Sequence, residues 1–260
     1  MSDTQDLTVK IAERMQNNNI LCPLMFDDKG QVYDYIRTGL LNLADFCVTN
    51  AKRYFPNLQV QDIALVGGMS SYIYNSKTDI DLVIIATIDA PNSDAKQIAT
   101  LFRTVNRSNK KRGYIFNLFE RAIDDWLAEP SSLISLGCGL YSLRDNCWKK
   151  KPIHREFSYT PEEATEAYKK YCDNINNFVR TLPKIDGKWL TFEGCHKLQN
   201  YIEQLKREAL MAKENGPERE YGIEYNCYRF FCKFGVKQHF FDLITESQNQ
   251  LINGLEVEDE

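Results

Sequence analysis

The sequence predicts an α+β fold, a small mixed β-sheet backed by helices and followed by a helical C-terminal part. Three observations carry the prediction. Two apolar runs of strand length, at 62–66 and 79–87, are separated by Gly67-Gly68 and a short polar stretch. A long amphipathic segment precedes them, with Ile36, Leu40, Leu43, Phe46 and Cys47 at three- and four-residue spacing. Beyond residue 160 the pattern is helical almost to the end of the chain.

In chain order, 4–17 reads as a short helix. Residues 20–26 read as extended, because a residue preceding proline is biased away from helix and Cys22-Pro23 falls there. The helix at 33–54 stops before Pro56. Strands follow at 62–66 and 79–87, then a helix at 95–105, a strand at 114–119, and another at 138–143 that turns at Arg144-Asp145-Asn146. Thr160-Pro161-Glu162-Glu163 carries the devices of a helix start, with Thr as N-cap, Pro at the first helical position and Glu at the third. Helices are expected at 161–182, 192–213 and 224–253, the last broken near Gly235. This order divides the chain into a sheet domain over 1–155 and a helical domain over 156–260.

Composition is that of a globular protein, 43% hydrophobic and 26% charged. No apolar run is long enough to span a bilayer, and the N-terminal residues lack the apolar core of a signal peptide, so a cytoplasmic location with no membrane partner is expected. Eight cysteines at irregular spacing, none in a CxxC pair, read as reduced thiols. A net charge of -4 argues against broad coating of nucleic acid while leaving room for a local basic groove.

The richest chemistry lies in LVGGMSSYIYNSKTDIDLVII, residues 65–85. Residues two apart on a strand share a face, so Asp79 and Asp81 are expected to project carboxylates side by side, hard oxygen ligands suited to Mg²⁺ or Mn²⁺. Gly67 and Gly68 end the preceding strand in a turn whose bare backbone can approach a phosphate, and a short helix after it would direct N–H groups there. Ser70 and Ser71 either add donors to phosphate oxygens or cap that helix.

Val66, Gly67, Gly68, Asp79, Ile80, Asp81 and Leu82 fill the pattern of an apolar residue, Gly, Gly or Ser, a spacer of some ten residues and D-h-D. The stretch thereby resembles the nucleotidyltransferase superfamily that includes DNA polymerase β. The flanks are similar to a branch of predicted nucleotidyltransferases found in tailed phages and some bacteria. Cys22-Pro23, the helix at 33–54, and SLGCGLYSL at 135–143 followed by Trp148 and Pro152 carry that likeness over roughly the first two thirds of the chain. The resemblance implies a nucleotidyltransferase fold and metal-dependent transfer of a nucleoside monophosphate from a nucleoside triphosphate, pyrophosphate leaving. The acceptor stays open between nucleic acid, nucleotide and protein.

The same resemblance implies a third carboxylate on a neighbouring strand, and its alignment puts Asn117 there. Asn is uncharged and takes up no proton at neutral pH. Glu120 replaces it only if a bulge flips the strand register, and Asp124 and Asp125 are expected past the strand. The alternative function is therefore a weakened or inactive member of the fold that binds nucleotide or a partner.

Other residues read more plainly. Arg103, Arg107 and Lys110-Lys111-Arg112, and Lys149-Lys150-Lys151, read as solvated charge ahead of a phosphate grip. Cys227 and Cys232 lie five apart on a helix and do not converge on a metal with His239; Cys195 and His196, being adjacent, diverge; His154 has no visible carboxylate partner. Tyr221, Tyr225, Tyr228, Phe230, Phe231 and Phe234 read as core between helices in preference to a base-stacking surface.

Overall fold

The computed structural model describes residues 2–89, 100, 104, 117–119, 121–128 and 138–256, with side chains except at 2–4, 117, 121, 122, 124, 126 and 254–256. These residues form a mixed sheet with helices and a helical C-terminal part, the α+β class expected. Helices are α1 (Ser2–Arg14), α2 (Asp34–Lys52), α3 (Pro161–Thr181), α4 (Phe192–Asn215), α5 (Ile223–Lys233) and α6 (Val236–Glu256). Strands are β1 (Leu58–Val66), β2 (Ile80–Ile88), β3 (Asn117–Leu118), β4 (Arg121–Ala128), β5 (Leu140–Ser142), β6 (Cys147–Lys150), β7 (Lys184–Ile185) and β8 (Trp189–Leu190). The expected helix at 95–105, apart from residues 100 and 104, and residues 114–116 of the expected strand lie outside the described residues. Two compact units result, one over Gln16–Arg155 and the other joining Met1–Met15 to Glu156–Glu260.

In the first unit the six strands run in the order β3-β4-β2-β1-β5-β6. Every neighbouring pair is antiparallel except β2 with β4, which is parallel. Side chains alternate between faces along each strand. Ile63, Leu65, Ile80, Leu82, Ile84, Ile123 and Leu127 therefore join the core under α2, while Ala64, Val66, Val83, Ile85 and Ala128 form a smaller cluster on the opposite face. The segment of α2 closes the first core because Ile36, Leu40, Leu43, Ala44, Cys47 and Ala51 make one buried stripe at helical spacing. Asp34 in its first turn and Lys52 in its last complement the helix dipole. Each fully buried Leu or Ile of this core contributes roughly 1.5–3 kcal/mol by leaving water.

Residues 20–26 are extended only in part. A turn at 23–25 leads to a bridge between Phe26 and Val32, and Phe26 stacks on Trp148 with ring centroids 5.3 Å apart. Trp148 anchors the edge of the sheet by donating from Nε1 to the Gly30 carbonyl at 2.8 Å.

The second unit begins with α1, whose Ile11 and Met15 bury among the C-terminal helices, and whose Thr8 hydroxyl accepts from Thr165 of α3 at 3.2 Å. At the head of α3 the Thr160 side chain accepts from Glu163 N at 3.2 Å, and Glu163 Oε2 accepts from Thr160 N at 2.8 Å, the reciprocal box read from the sequence. A small hairpin, β7 and β8, turns at Asp186-Gly187 with φ of 51° and 66°, a chemistry suited to a tight hairpin turn that the helical reading of this region passed over. Between α5 and α6 the chain reverses through Gly235, where φ is 80°. The core holds Tyr168, Leu198, Ile202, Cys227, Phe230, Phe231, Phe240 and Ile244. Phe230 and Phe234 stack at 5.7 Å, and Tyr168 meets both edge-on. Tyr221 is buried and Tyr228 packs against this core.

Candidate functional site

The sequence from 65 to 85 folds as a strand, a tight turn and an antiparallel return strand, with Val66 paired to Asp81 across β1 and β2. The expected helix after Gly68 is a single 3-10 turn over Gly68–Ser70. Residues 75–78 close a second turn instead, in which Asn75 Oδ1 accepts from Lys77 N at 2.8 Å and the Thr78 hydroxyl accepts from Asn75 N at 2.9 Å. Asn and Thr side chains that bond nearby backbone compete with helix, which is why this polar stretch turns. It delivers Asp79 to the start of β2, and Asp81 is the second residue of that strand. Both carboxylate-bearing residues are half-buried.

Each glycine of the pair has a steric reason. Gly67 has φ 72° and ψ −156°, a conformation open in practice only to glycine. A Cβ there would lie 2.8 Å from Cγ of Asp81 and overlap its carboxylate. A Cβ on Gly68 would lie 2.8 Å from Cγ2 of Thr78. The bare turn thus brings the backbone at 67–68 against the residues that open β2, so the Asp81 carboxylate rests directly on peptide.

Ser70 and Ser71 are both buried. The Ser70 hydroxyl lies 3.1 Å from the Gly67 carbonyl and 2.9 Å from that of Gly139, and the Ser70 carbonyl accepts from Gly139 N at 3.1 Å. Ser71 Oγ donates to the Gly68 carbonyl at 2.8 Å and accepts from Ile73 N at 3.2 Å. Both hydroxyls tie the turn to itself, and that of Ser70 ties it also to Gly139, the residue before β5.

Asn117 is placed on β3, paired with Ala122 of β4, and β4 stands between it and β2. The strand beside β2 is β4, with Asp81 in register with Asp124 and Leu82 with Asp125. Asp124 and Asp125 follow β3, as expected, but they lie within a further strand, β4, that the sequence reading did not foresee. Asp-Asp reads as loop in sequence, yet Ile123, Asp125 and Leu127 keep the two-residue period of a half-buried strand. Asp125 is 6% exposed on the face toward α2, and its Oδ2 accepts from Cys47 Sγ at 3.0 Å. Burial and this hydrogen bond to a carboxylate push the Cys47 thiol far above its ordinary value. Strand alternation places position 124 on the other face, that of Asp81.

Among the described residues no three His, Cys, Asp or Glu side chains gather as a cation cage. Asp79, just before β2, and Asp81, its second residue, are two carboxylate donors two positions apart, and the second of them lies against Gly67. That set fits Mg²⁺ or Mn²⁺, since magnesium is commonly held by one or two carboxylates plus waters and substrate phosphates.

Arg103, Arg107 and Lys110-Lys111-Arg112 lie outside the described residues. Lys149 pairs with Asp145, and Lys151 is exposed. His154 meets Tyr72 edge-on at 5.1 Å. Cys195 is buried in its helix, whereas His196 is exposed and bonds Asn200 at 3.0 Å. All eight cysteines are free thiols. No helix among the described residues is long and apolar enough to cross a membrane. The chain matches no protein-family model, and no curated protein or solved structure is significantly similar to it.

Proposed function

We propose that the sheet unit is a metal-dependent nucleotidyltransferase that moves a nucleoside monophosphate from a nucleoside triphosphate to an acceptor hydroxyl. The observation that carries the reading is the seating of the Asp81 carboxylate on Gly67, with Asp79 two residues before it. The register of Asp124 with Asp81 supports Asp124 as the third acid, and we assign that role to it in place of Asn117.

In this reading Asp79 and Asp81 hold the cation, with Asp124 as a third carboxylate beside it, and the backbone of the turn at 67–68 meets the phosphate. Mg²⁺ or Mn²⁺, when bound, neutralises charge on the triphosphate and on the departing pyrophosphate. The acceptor oxygen forms a bond to the α-phosphorus as the bond to the bridging oxygen breaks, and the acceptor's proton passes to Asp124. The buried hydroxyls of Ser70 and Ser71 keep the turn in shape and leave phosphate contact to the backbone.

The test is thermal stability with each nucleoside triphosphate, with and without Mg²⁺ or Mn²⁺, in wild type and in an Asp79→Asn, Asp81→Asn double variant. A ligand that binds only the folded state stabilises it by RT ln(1 + [L]/Kd), about 2.7 kcal/mol at a hundredfold excess over Kd. A metal-dependent shift in wild type that disappears in the folded double variant is expected. Absence of any shift in wild type overturns the reading. A shift that persists without pyrophosphate release, across nucleic-acid, nucleotide and protein acceptors, makes the protein a nucleotide binder.

A further inference from the structure

Resting on that reading of the site, we infer that the buried pair Cys47 and Asp125 is a positioning device that holds β4, and with it residue 124, in place beside Asp81. Asp125 lies on an otherwise apolar face, among Ile80, Leu82, Ile123 and Leu127 under α2. A buried carboxylate in such a place is costly, and a well-packed aliphatic side chain there is often neutral or stabilising. What a carboxylate offers that a leucine lacks is direction. Its hydrogen bond from Cys47 Sγ, 3.0 Å long, links the C-terminal half of α2 to the middle of β4.

β4 has reason to need such a link. Among the described residues β4 pairs with β2 over Ile123–Ala128 and with β3 at Arg121 and Ala122, and the bonds of both ladders lie in the plane of the sheet. The bond from Cys47 to Asp125 adds a tie from the α2 side, across the sheet plane and not within it. Because neighbouring residues on a strand move together, a displacement of Asp125 carries residue 124 with it, on the face that Asp81 occupies. Groups that orient metal ligands without touching the ion typically govern affinity by 10- to 100-fold. Cys47 and Asp125 thus act through residue 124, and neither is a catalytic residue.

The experiment compares wild type with Cys47→Val, Cys47→Ser and Asp125→Leu in the full chain. Two quantities are read: the melting temperature without ligand, and the Mg²⁺ midpoint of the stabilisation given by whichever nucleoside triphosphate shifts wild type most. Valine fills the space and cannot donate, so its Mg²⁺ midpoint is expected to rise about tenfold or more. Serine keeps a donor and is expected to stay within about twofold of wild type. Asp125→Leu is the decisive arm, expected to melt no lower than wild type while its Mg²⁺ midpoint rises as valine's does. Val and Leu variants with wild-type midpoints overturn the positioning role and leave the site reading intact. Equal weakening in all three variants, each with a lowered melting temperature, overturns it in favour of plain packing. A wild type that shows no metal-dependent shift at all fails at the earlier step, the site itself, and the positioning role falls with it.

Discussion

The carboxylate of Asp81 fills the space that a side chain on Gly67 would need, with Cγ of the aspartate 2.8 Å from where a Cβ would stand. Gly67 is also held at φ 72° and ψ −156°, so two independent constraints select glycine there. Gly67→Ala is therefore expected to cost about 1–3 kcal/mol from backbone strain alone, and to displace Asp81 besides. Gly30 supplies the control. Its φ is 74°, yet a Cβ there meets only ordinary contacts, the nearest at 3.5 Å. Urea unfolding should show Gly67→Ala to be the more damaging of the two alanine variants. Equal costs would mean that Asp81 yields freely and that its seat on the turn is not a constraint.

Ser70 separates a structural role from a ligand role. Its hydroxyl is completely buried and lies within hydrogen-bond reach of the carbonyls of Gly67 and Gly139, joining the turn to the approach to β5. Removal of a buried donor that leaves carbonyl acceptors unpaired costs about 1–3 kcal/mol. Ser70→Ala should lower the unfolding free energy of the sheet unit by about that much. A variant with wild-type stability and weakened nucleotide binding would return the hydroxyl to phosphate contact.

Much of the fold was legible because local signals and burial agree. The helix expected at 33–54 is α2, and the strands expected at 62–66 and 79–87 are the cores of β1 and β2. The box at Thr160 and Glu163 starts α3, and Gly235 breaks the last helices. Two parts of the candidate site were legible only halfway. Gly67 was marked as special, but its reason, the carboxylate of a residue fourteen positions later, is a tertiary contact with no local trace. Asp124 was read as lying past the strand of Asn117, because two adjacent aspartates carry weak strand propensity, and it is the pairing of β4 with β2 that brings position 124 beside Asp81. The β7 and β8 hairpin was missed although Asp186-Gly187 spells its turn, because two-residue strands give no periodicity to read.

Alkaline pH should unfold the helical unit in one step. Burial, followed by the nearby Cys172 and Glu224, pushes the Cys227 thiol from 9.0 up to about 12. Burial likewise raises Tyr159, Tyr168, Tyr171 and Tyr228. For a group that is neutral when protonated and has a raised pKa in the folded state, the native form binds more protons than the unfolded form between the two values. Stability is thus complete below about pH 9 and falls as pH rises toward 12, by about 1.4 kcal/mol per pH unit for each such group. Tyrosinate absorbance and helical circular dichroism should change together above pH 9. Gradual ionisation of the tyrosines with helicity retained would show that these hydroxyls are open to water.

Asn117 and Asp124 make opposite predictions for the third acid. If Asn117 is the position that completes the site, Asn117→Asp adds a carboxylate where one is missing, and the metal-dependent nucleotide shift should grow. The sheet order argues otherwise, since β4 separates β3 from β2 and a residue on β3 is two strands from Asp81. Asp124 is in register with Asp81, one strand spacing of about 4.8 Å away. Asp124→Asn should therefore weaken the Mg²⁺ dependence of nucleotide binding by tenfold or more, on the order expected for loss of a charged group at a metal site, with little change in the melting temperature of the free protein. Asn117→Asp should leave that dependence as it is. The two variants differ in one side-chain group each and in opposite senses, so a single Mg²⁺ titration of the nucleotide-induced shift decides between them. A gain in the first and no loss in the second would place the third carboxylate on β3 and require the chain between β2 and β4 to bring it to Asp81.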